Sequence, residues 1–329
     1  MNYRTLGSSG IQISPVCLGT MTFGSPVGEA DAVKLVHEAM DLGINFIDTA
    51  NAYEGYDRVL GSAGGVAEGI VGKALKGRRE QAVLATKACA PVGPGPLDRG
   101  LSACHILREV DRSLERMKTD YIDLFIIHWP DKLTPLETTL AALDSVVRQG
   151  KVRCIGASNH SAAQLCEFLW LADRQGWARM VSSQIPLSLL LRSYESDLAF
   201  CEKHGIGVTP YQSLQGGLLT GKYKRGQPEP GDSRAAEKPG WVWPRDEAMY
   251  DQLEGMEKLA AEIDVSPAQY ALAWALSRPA VSSLVMGAKR IGQVQDAIGA
   301  ADVSIPDGHL DRIDALFPPP WQQMDPIRG

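Results

Sequence analysis

Short apolar runs alternate along the chain with segments whose apolar residues recur three and four positions apart. Side chains repeat every two residues on a strand and about every 3.6 on a helix, so the first pattern predicts strands and the second amphipathic helices. Strands are predicted at 16–20 (VCLGT), 45–50 (NFIDTA), 82–87 (AVLATK), 121–129 (YIDLFIIHW), 152–159 (VRCIGASN), 181–186 (VSSQIP), 207–212 (GVTPYQ) and 282–288 (SSLVMGA). EADAVKLVHEAMDLG, ILREVDRSLERMK and PLETTLAALDSVVRQG carry the helical spacing. Gly43, Gly77, Gly150, Gly176 and Gly205 follow helical segments, where a left-handed C-cap favours glycine.

The predicted strands are nearly continuous apolar runs, expected where both faces of a sheet are covered. Eight βα units without a repeated Gly-rich dinucleotide motif favour a closed (β/α)8 TIM barrel over an open doubly wound sheet. The 329 residues suit one such barrel with insertions, and no domain boundary is evident, so 1–329 reads as a single domain. Ahead of the first strand, RTLGSSGIQIS predicts an N-terminal β-hairpin that turns at Ser8-Ser9-Gly10 and plugs the barrel bottom. DVSIPDGHLDRIDALF predicts a C-terminal extra helix, and PPPWQQMDPIRG a tail. The helix residues Trp170, Tyr270 and Trp274 are assigned to the core. One long irregular stretch, 222–246, falls on the active-site side and is expected to cover a bound cofactor.

Composition narrows the function. A net charge of −6 with no Lys/Arg block argues against nucleic acid, and an anionic ligand would need a local basic cluster. The six cysteines form no CxxC pair and have no zinc spacing, so they read as buried free thiols in a reducing compartment. No leader pattern and no apolar run of about 18 residues is present, so no membrane partner is expected and the cytoplasm is the expected location. A small-molecule partner remains. Oligomeric state is not legible.

In such barrels, catalytic groups stand at the C-terminal ends of strands and in the loops beyond. The polar residues there are Asp48, Tyr53, Lys87, His128, Ser158, Asn159, Gln184 and Tyr211. Singly, each also reads as a turn former or a solvated side chain. Together they suggest one chemistry. A tyrosine with a pKa near 10 can donate a proton if a nearby ammonium lowers that value and a carboxylate holds the ammonium. A histidine can polarise a carbonyl. None of these side chains carries a hydride, so a nicotinamide is implied. A metal-dependent barrel hydrolase would need more strand-end histidines than the one at 128.

GINFIDTANAY, LATK, YIDLFIIHWP, GKVRCIGASNH, SSQIPLSLL, TPYQSLQGGLLTGKY and VMGAKRIGQVQDAIGA together resemble the aldo-keto reductase superfamily along nearly the whole chain. The resemblance implies NADP(H) as cofactor and reduction of an aldehyde or ketone. It makes Tyr53 the general acid, Lys87 and Asp48 its tuning pair, and His128 the residue that orients the carbonyl. It places Thr20, Met21 and Asp48 by the cofactor, Ser158, Asn159 and Gln184 on the nicotinamide carboxamide, and Tyr211 against the ring. Gln212, Ser213, Leu214, Gln215 and Gly216, with Lys222, would follow the pyrophosphate. Arg234, Gly287, Lys289, Arg290, Gln293 and Asp296 would reach the adenosine end. Lys289 and Arg290 suit a 2′-phosphate, or else are a solvated basic pair opening a helix.

The chain departs from the family pattern in three places. Gln212-Ser213-Leu214 stands where Ser-Pro-Leu is usual, Ala297 stands where asparagine is frequent, and 54–67 is longer than the usual loop. Phe23, Tyr56, Trp129, Trp241 and Trp243, with Met21, are the pocket-lining candidates, and aromatic walls suit an uncharged organic substrate. Trp241 and Trp243 read equally as pins for the long loop. Two further readings stay open. One is an NADP-dependent alcohol or sugar dehydrogenase run in oxidation. The other is a nucleotide-sensing subunit resembling potassium-channel β subunits, which the resemblance describes as weak enzymes that depart from the pattern at the histidine position.

Overall fold

A computed structural model describes residues 1–322. β1 (Arg4–Thr5) and β2 (Gln12–Ile13) pair antiparallel as the expected hairpin. Eight parallel strands follow: β3 (Val16–Gly19), β4 (Phe46–Asp48), β5 (Val83–Ala88), β6 (Ile122–Ile127), β7 (Val152–Ser158), β8 (Met180–Gln184), β9 (Gly207–Val208) and β10 (Leu284–Gly287). Their spatial order is β10-β3-β4-β5-β6-β7-β8-β9. Val208 pairs with Val281, and Val285 N–H donates to the Pro210 carbonyl, which closes the barrel. The helices are α1 (Glu29–Asp41), α2 (Val66–Ala74), α3 (Ala103–Met117), α4 (Leu136–Arg148), α5 (Ala162–Gln175), α6 (Leu198–Lys203), α7 (Arg234–Glu237), α8 (Glu247–Glu262), α9 (Pro267–Leu276), α10 (Ile291–Gly299) and α11 (Asp307–Leu316).

All eight predicted barrel strands are present. β9 is the shortest, because Pro210 has no N–H to add to a ladder. Thr209 and Tyr211 still donate to Ser183 and Ile185, so the chain stays alongside β8.

The period of two decides what faces inward. Cys17, Phe46, Val83, Ala85, Leu124, Ile126 and Val181 fill the barrel interior, with Leu6 and Ile13 of the hairpin sealing its lower end. Gly7 allows that seal: a Cβ there would stand 2.3 Å from the Val181 carbonyl oxygen. The alternate residues Leu18, Ile47, Leu84, Phe125 and Ile155 pack outward against the helices. The next inward positions after Phe46, Ala85 and Ile126 are Asp48, Lys87 and His128. These three polar side chains therefore sit one pleat above an apolar floor.

Some expectations need correction. Tyr270 and Trp274 are fully buried, but Trp170 is 55% exposed, with the Arg174 guanidinium over its ring. Leu165, Phe168, Leu169 and Ala172 already fill the inward stripe of α5. Cys17, Cys89 and Cys201 are buried, whereas Cys104 and Cys166 are exposed; all six are free thiols. The segment 222–246 is not wholly irregular, since it carries α7 and a 3-10 turn at Pro239–Trp241. The C-terminal extra helix is α11, and the tail predicted at 318–329 lies outside the described residues from 323 on. Among the described residues no helix is long and apolar enough to cross a membrane.

Candidate active site

Three strand tops and one loop converge. Lys87 Nζ donates to Asp48 Oδ1 at 2.5 Å, to the Thr49 carbonyl at 2.9 Å and to Tyr53 Oη at 3.2 Å. The ammonium and the carboxylate are 0% and 1% exposed, so this is a buried ion pair with all three ammonium hydrogens engaged. The second Asp48 oxygen accepts from Gln184 Nε2 at 3.0 Å. Because Lys87 donates to the phenol oxygen, the phenol's own proton is free for another acceptor. The Tyr53 ring meets His128 edge-on at 5.8 Å between centroids, and His128 stacks on Trp129 at 4.0 Å. The arrangement can hold a carbonyl oxygen between an O–H donor and an imidazole.

Sequence reasoning expected Lys87 to lower the Tyr53 pKa. It does pull that way, but burial outweighs it and the phenol lies above its ordinary value. Lys87 is itself raised: burial opposes its charge, and Asp48 and Tyr53 overcome that. His128 is held well below the usual histidine range by burial, then by the Lys87 and Arg58 charges, so its imidazole is neutral near pH 7. The expected pH profile follows from these signs. Tyr53 keeps its proton below a raised pKa, and His128 stays uncharged above a lowered one. Turnover that uses both groups is expected to be flat from about pH 5.5 to 9. Steady-state turnover across that range checks it; a break near the ordinary histidine pKa would contradict a neutral His128.

The residues expected at a nicotinamide form one connected group. Asn159 Nδ2 donates to the His128 carbonyl and to Ser158 Oγ, and Asn159 Oδ1 accepts from Tyr211 Oη at 2.7 Å. Ser158 Oγ donates to the Gln184 carbonyl. Thr20 lies beside them, its N–H on the Asp48 carbonyl, and Met21 is half-buried next to it. The buried hydroxyls of Thr20 and Ser213 have no hydrogen-bond partner among the described residues, which leaves polar capacity for a ligand.

Beyond β9 the backbone turns through Gln212, Gln215, Gly216 and Gly217 at φ values of 58°, 45°, 64° and 95°. Such runs turn backbone N–H groups into anion-binding concavities. Lys222 packs onto this turn, since a Cβ on Gly217 would lie 2.8 Å from its Nζ. The Gln215 and Gly217 N–H groups are bonded inside the turn, to Gln212 and Leu214, so Lys222 and the remaining N–H groups are the donors a pyrophosphate could meet. Leu214 and Gln215 are half-buried and buried there.

The far end is already paired. Lys289 Nζ donates to both oxygens of Glu237 at 2.6 Å, and Arg290 Nη2 to Asp232 at 2.9 Å. Gln293 accepts from the Lys289 and Arg290 N–H groups, and Asp296 and Gly287 are exposed. Arg234 does not join them. Its guanidinium lies over the Tyr56 and Trp241 rings, at 4.8 and 5.5 Å. The long loop thus spans from Lys289 on one side to Tyr56 in 54–67 on the other.

Trp129, Trp241 and Trp243 are 43%, 49% and 38% exposed. Tyr56 is buried and meets Trp241 at 5.4 Å, so Trp241 does pin the loop. Phe23 is not brought to the mouth: it is 0% exposed in the outer core, beside Val27. Sequence reasoning missed Glu237, Asp232 and Arg58. Nothing in composition marked the first two, since the long loop holds more basic than acidic residues, and Arg58 carried no signal either.

Residues 15–317 match the aldo/keto reductase family, and the chain belongs to it. It is 36% identical to an uncharacterized oxidoreductase, YrpG, of Bacillus subtilis, over 97% of each chain. It is also 36% identical to a probable voltage-gated potassium channel subunit beta of Arabidopsis thaliana, over 92% of each. Aldo-keto reductase YhdN of Bacillus subtilis is 34% identical, over 90% of this chain and 87% of that one.

Proposed function

We propose that the protein is an NADP(H)-dependent carbonyl reductase that converts an aldehyde or ketone to its alcohol. The observation that carries this reading is the Asp48–Lys87–Tyr53 chain beside a neutral His128, with the phenol proton unused. A nicotinamide bound by Ser158, Asn159, Gln184 and Tyr211 would supply the hydride. His128 orients the carbonyl oxygen, and Tyr53 gives it a proton. Lys87 then stabilises the phenolate until solvent restores the proton. The same groups serve oxidation of an alcohol, with every proton step reversed. NADPH consumption followed by absorbance, over a panel of small aldehydes, sugars and cyclic ketones, tests the reading. No turnover of any member would overturn it.

Likeness to a potassium channel β subunit favours a second reading, a nucleotide-sensing subunit. Nucleotide binding without measurable turnover in that panel would select it.

Lys289 and Arg290 are assigned to the 2′-phosphate of NADPH, which must displace or share Glu237 and Asp232. Replacing both cations by alanine is expected to raise the Kd for NADPH about tenfold to a hundredfold, and that for NADH far less. Fluorescence titration with each nucleotide measures this. An equal loss for both would mean that the pair only ties down the loop.

A further inference from the structure

We propose that Arg58 forms an anion subsite beside the reacting carbonyl, and that the substrate is an aldehyde or ketone that also bears a carboxylate. This rests on the carbonyl-reductase reading and adds the substrate class. It departs from the uncharged substrate that the aromatic walls alone suggest.

Arg58 lies in 54–67, between Tyr53 and α2, and is half-buried. Its guanidinium spans two loops at the barrel mouth. Nη1 donates to the carbonyl of Ala52, the residue before Tyr53, and Nη2 donates at 2.9 Å to the carbonyl of Pro91, just past β5. Two of the five guanidinium hydrogens are thereby used, and three remain for a ligand. Neither acceptor carries a full charge, and no carboxylate oxygen among the described residues lies within ion-pair distance of Arg58. Glu54, the acid whose field reaches it, is engaged by the Ser62 hydroxyl and the Gly64 N–H.

Most other buried or partly buried arginines are neutralised: Arg79 by Asp123, Arg116 by Glu68, Arg192 by Glu195 and Asp314. Arg4 and Arg234 are exceptions: Arg4 caps the Leu276 and Val281 carbonyls at the opposite end of the barrel, and Arg234 lies over the Tyr56 and Trp241 rings. Arg58 differs from Arg4 in what its charge reaches. Its field acts on both Tyr53 and His128. A planar fork held by two carbonyls is pre-organised to meet a carboxylate at low entropic cost. Tyr53 and Trp129 offer rings for the carbon skeleton between the two polar ends.

The test compares 4-carboxybenzaldehyde with 4-methylbenzaldehyde, which differ in charge at similar shape. In the wild-type protein kcat/KM is expected to favour the carboxylate about tenfold to a hundredfold, mostly through KM, with the ratio shrinking as salt rises. Arg58→Ala should bring the ratio close to one, and Arg58→Lys should keep part of it. A second readout needs no turnover: quenching of tryptophan fluorescence by 4-carboxybenzyl alcohol, expected to weaken about tenfold in Arg58→Ala. Turnover of both aldehydes without preference overturns the subsite and leaves the reductase reading standing. Turnover of neither leaves the reductase reading to its own substrate panel, and the fluorescence titration then decides the subsite alone. Equal binding by wild type and Arg58→Ala in that titration also overturns it.

Discussion

Tyr53→Phe is expected to lower carbonyl turnover by about 10² to 10⁴, the range for loss of a general acid, with nucleotide affinity little changed. The structure says why the two effects separate. Phenylalanine keeps the ring, which lies 4.7 Å from Lys87 Nζ and edge-on to His128. It deletes only the hydroxyl. Lys87 then still has Asp48 and the Thr49 carbonyl as acceptors, so the buried ammonium is not stranded. The stability cost is that of one lost hydrogen bond, about 1 kcal/mol. The residues assigned to the nicotinamide do not touch the Tyr53 hydroxyl: Asn159 is held by Tyr211, His128 and Ser158, and Gln184 by Asp48. Initial rates and a nucleotide titration on the same preparation check both halves. A variant with wild-type turnover would remove Tyr53 from the reaction.

Much of this was legible because the barrel converts a period of two into position. Phe46–Asp48, Ala85–Lys87 and Ile126–His128 each read as an inward apolar residue followed two places later by an inward polar one. Alternation alone therefore predicts that the three side chains meet. Loops lack such a period. Nothing in the spacing says that Arg234 reaches back to Tyr56 rather than forward to Arg290, because a loop's course depends on contacts distant in sequence. The same holds for Glu237 on Lys289 and for Arg58 on Ala52 and Pro91. Phe23 was misread for a related reason. It follows a strand, like a mouth residue, but the turn at Gly24 and its bridge to Val27 fold it under the helices. Strength of charge was misjudged too. The pull of Lys87 on Tyr53 is visible in sequence, whereas the opposing burial is a property of the assembled barrel.

Asp48→Asn is expected to lower stability by about 3 to 5 kcal/mol, the cost of stranding one member of a buried pair. The carboxylate has two oxygens in use, one on Lys87 and one on Gln184. Asparagine offers a single acceptor, so one donor loses its partner, and the ammonium loses its counter-charge. Lys87→Met should cost a similar amount by leaving the carboxylate alone. The double variant Asp48→Asn/Lys87→Met removes both charges, and is expected to be more stable than the sum of the two losses predicts, by about 2 kcal/mol or more. The pair's contribution should not fade near neutrality. Lys87 has a folded pKa raised above its unfolded one, so its stabilisation is fully present below about pH 10.4 and is lost only as pH rises through the raised value. Denaturant unfolding of the four proteins at pH 7 gives the cycle. All three variants should also lose most turnover, since none holds a Lys87 ammonium against Tyr53 with Asp48 behind it. Additive losses across the cycle would mean that the 2.5 Å contact contributes little beyond its separate parts, and that the charge of Lys87 is held by the Thr49 carbonyl and Tyr53 instead.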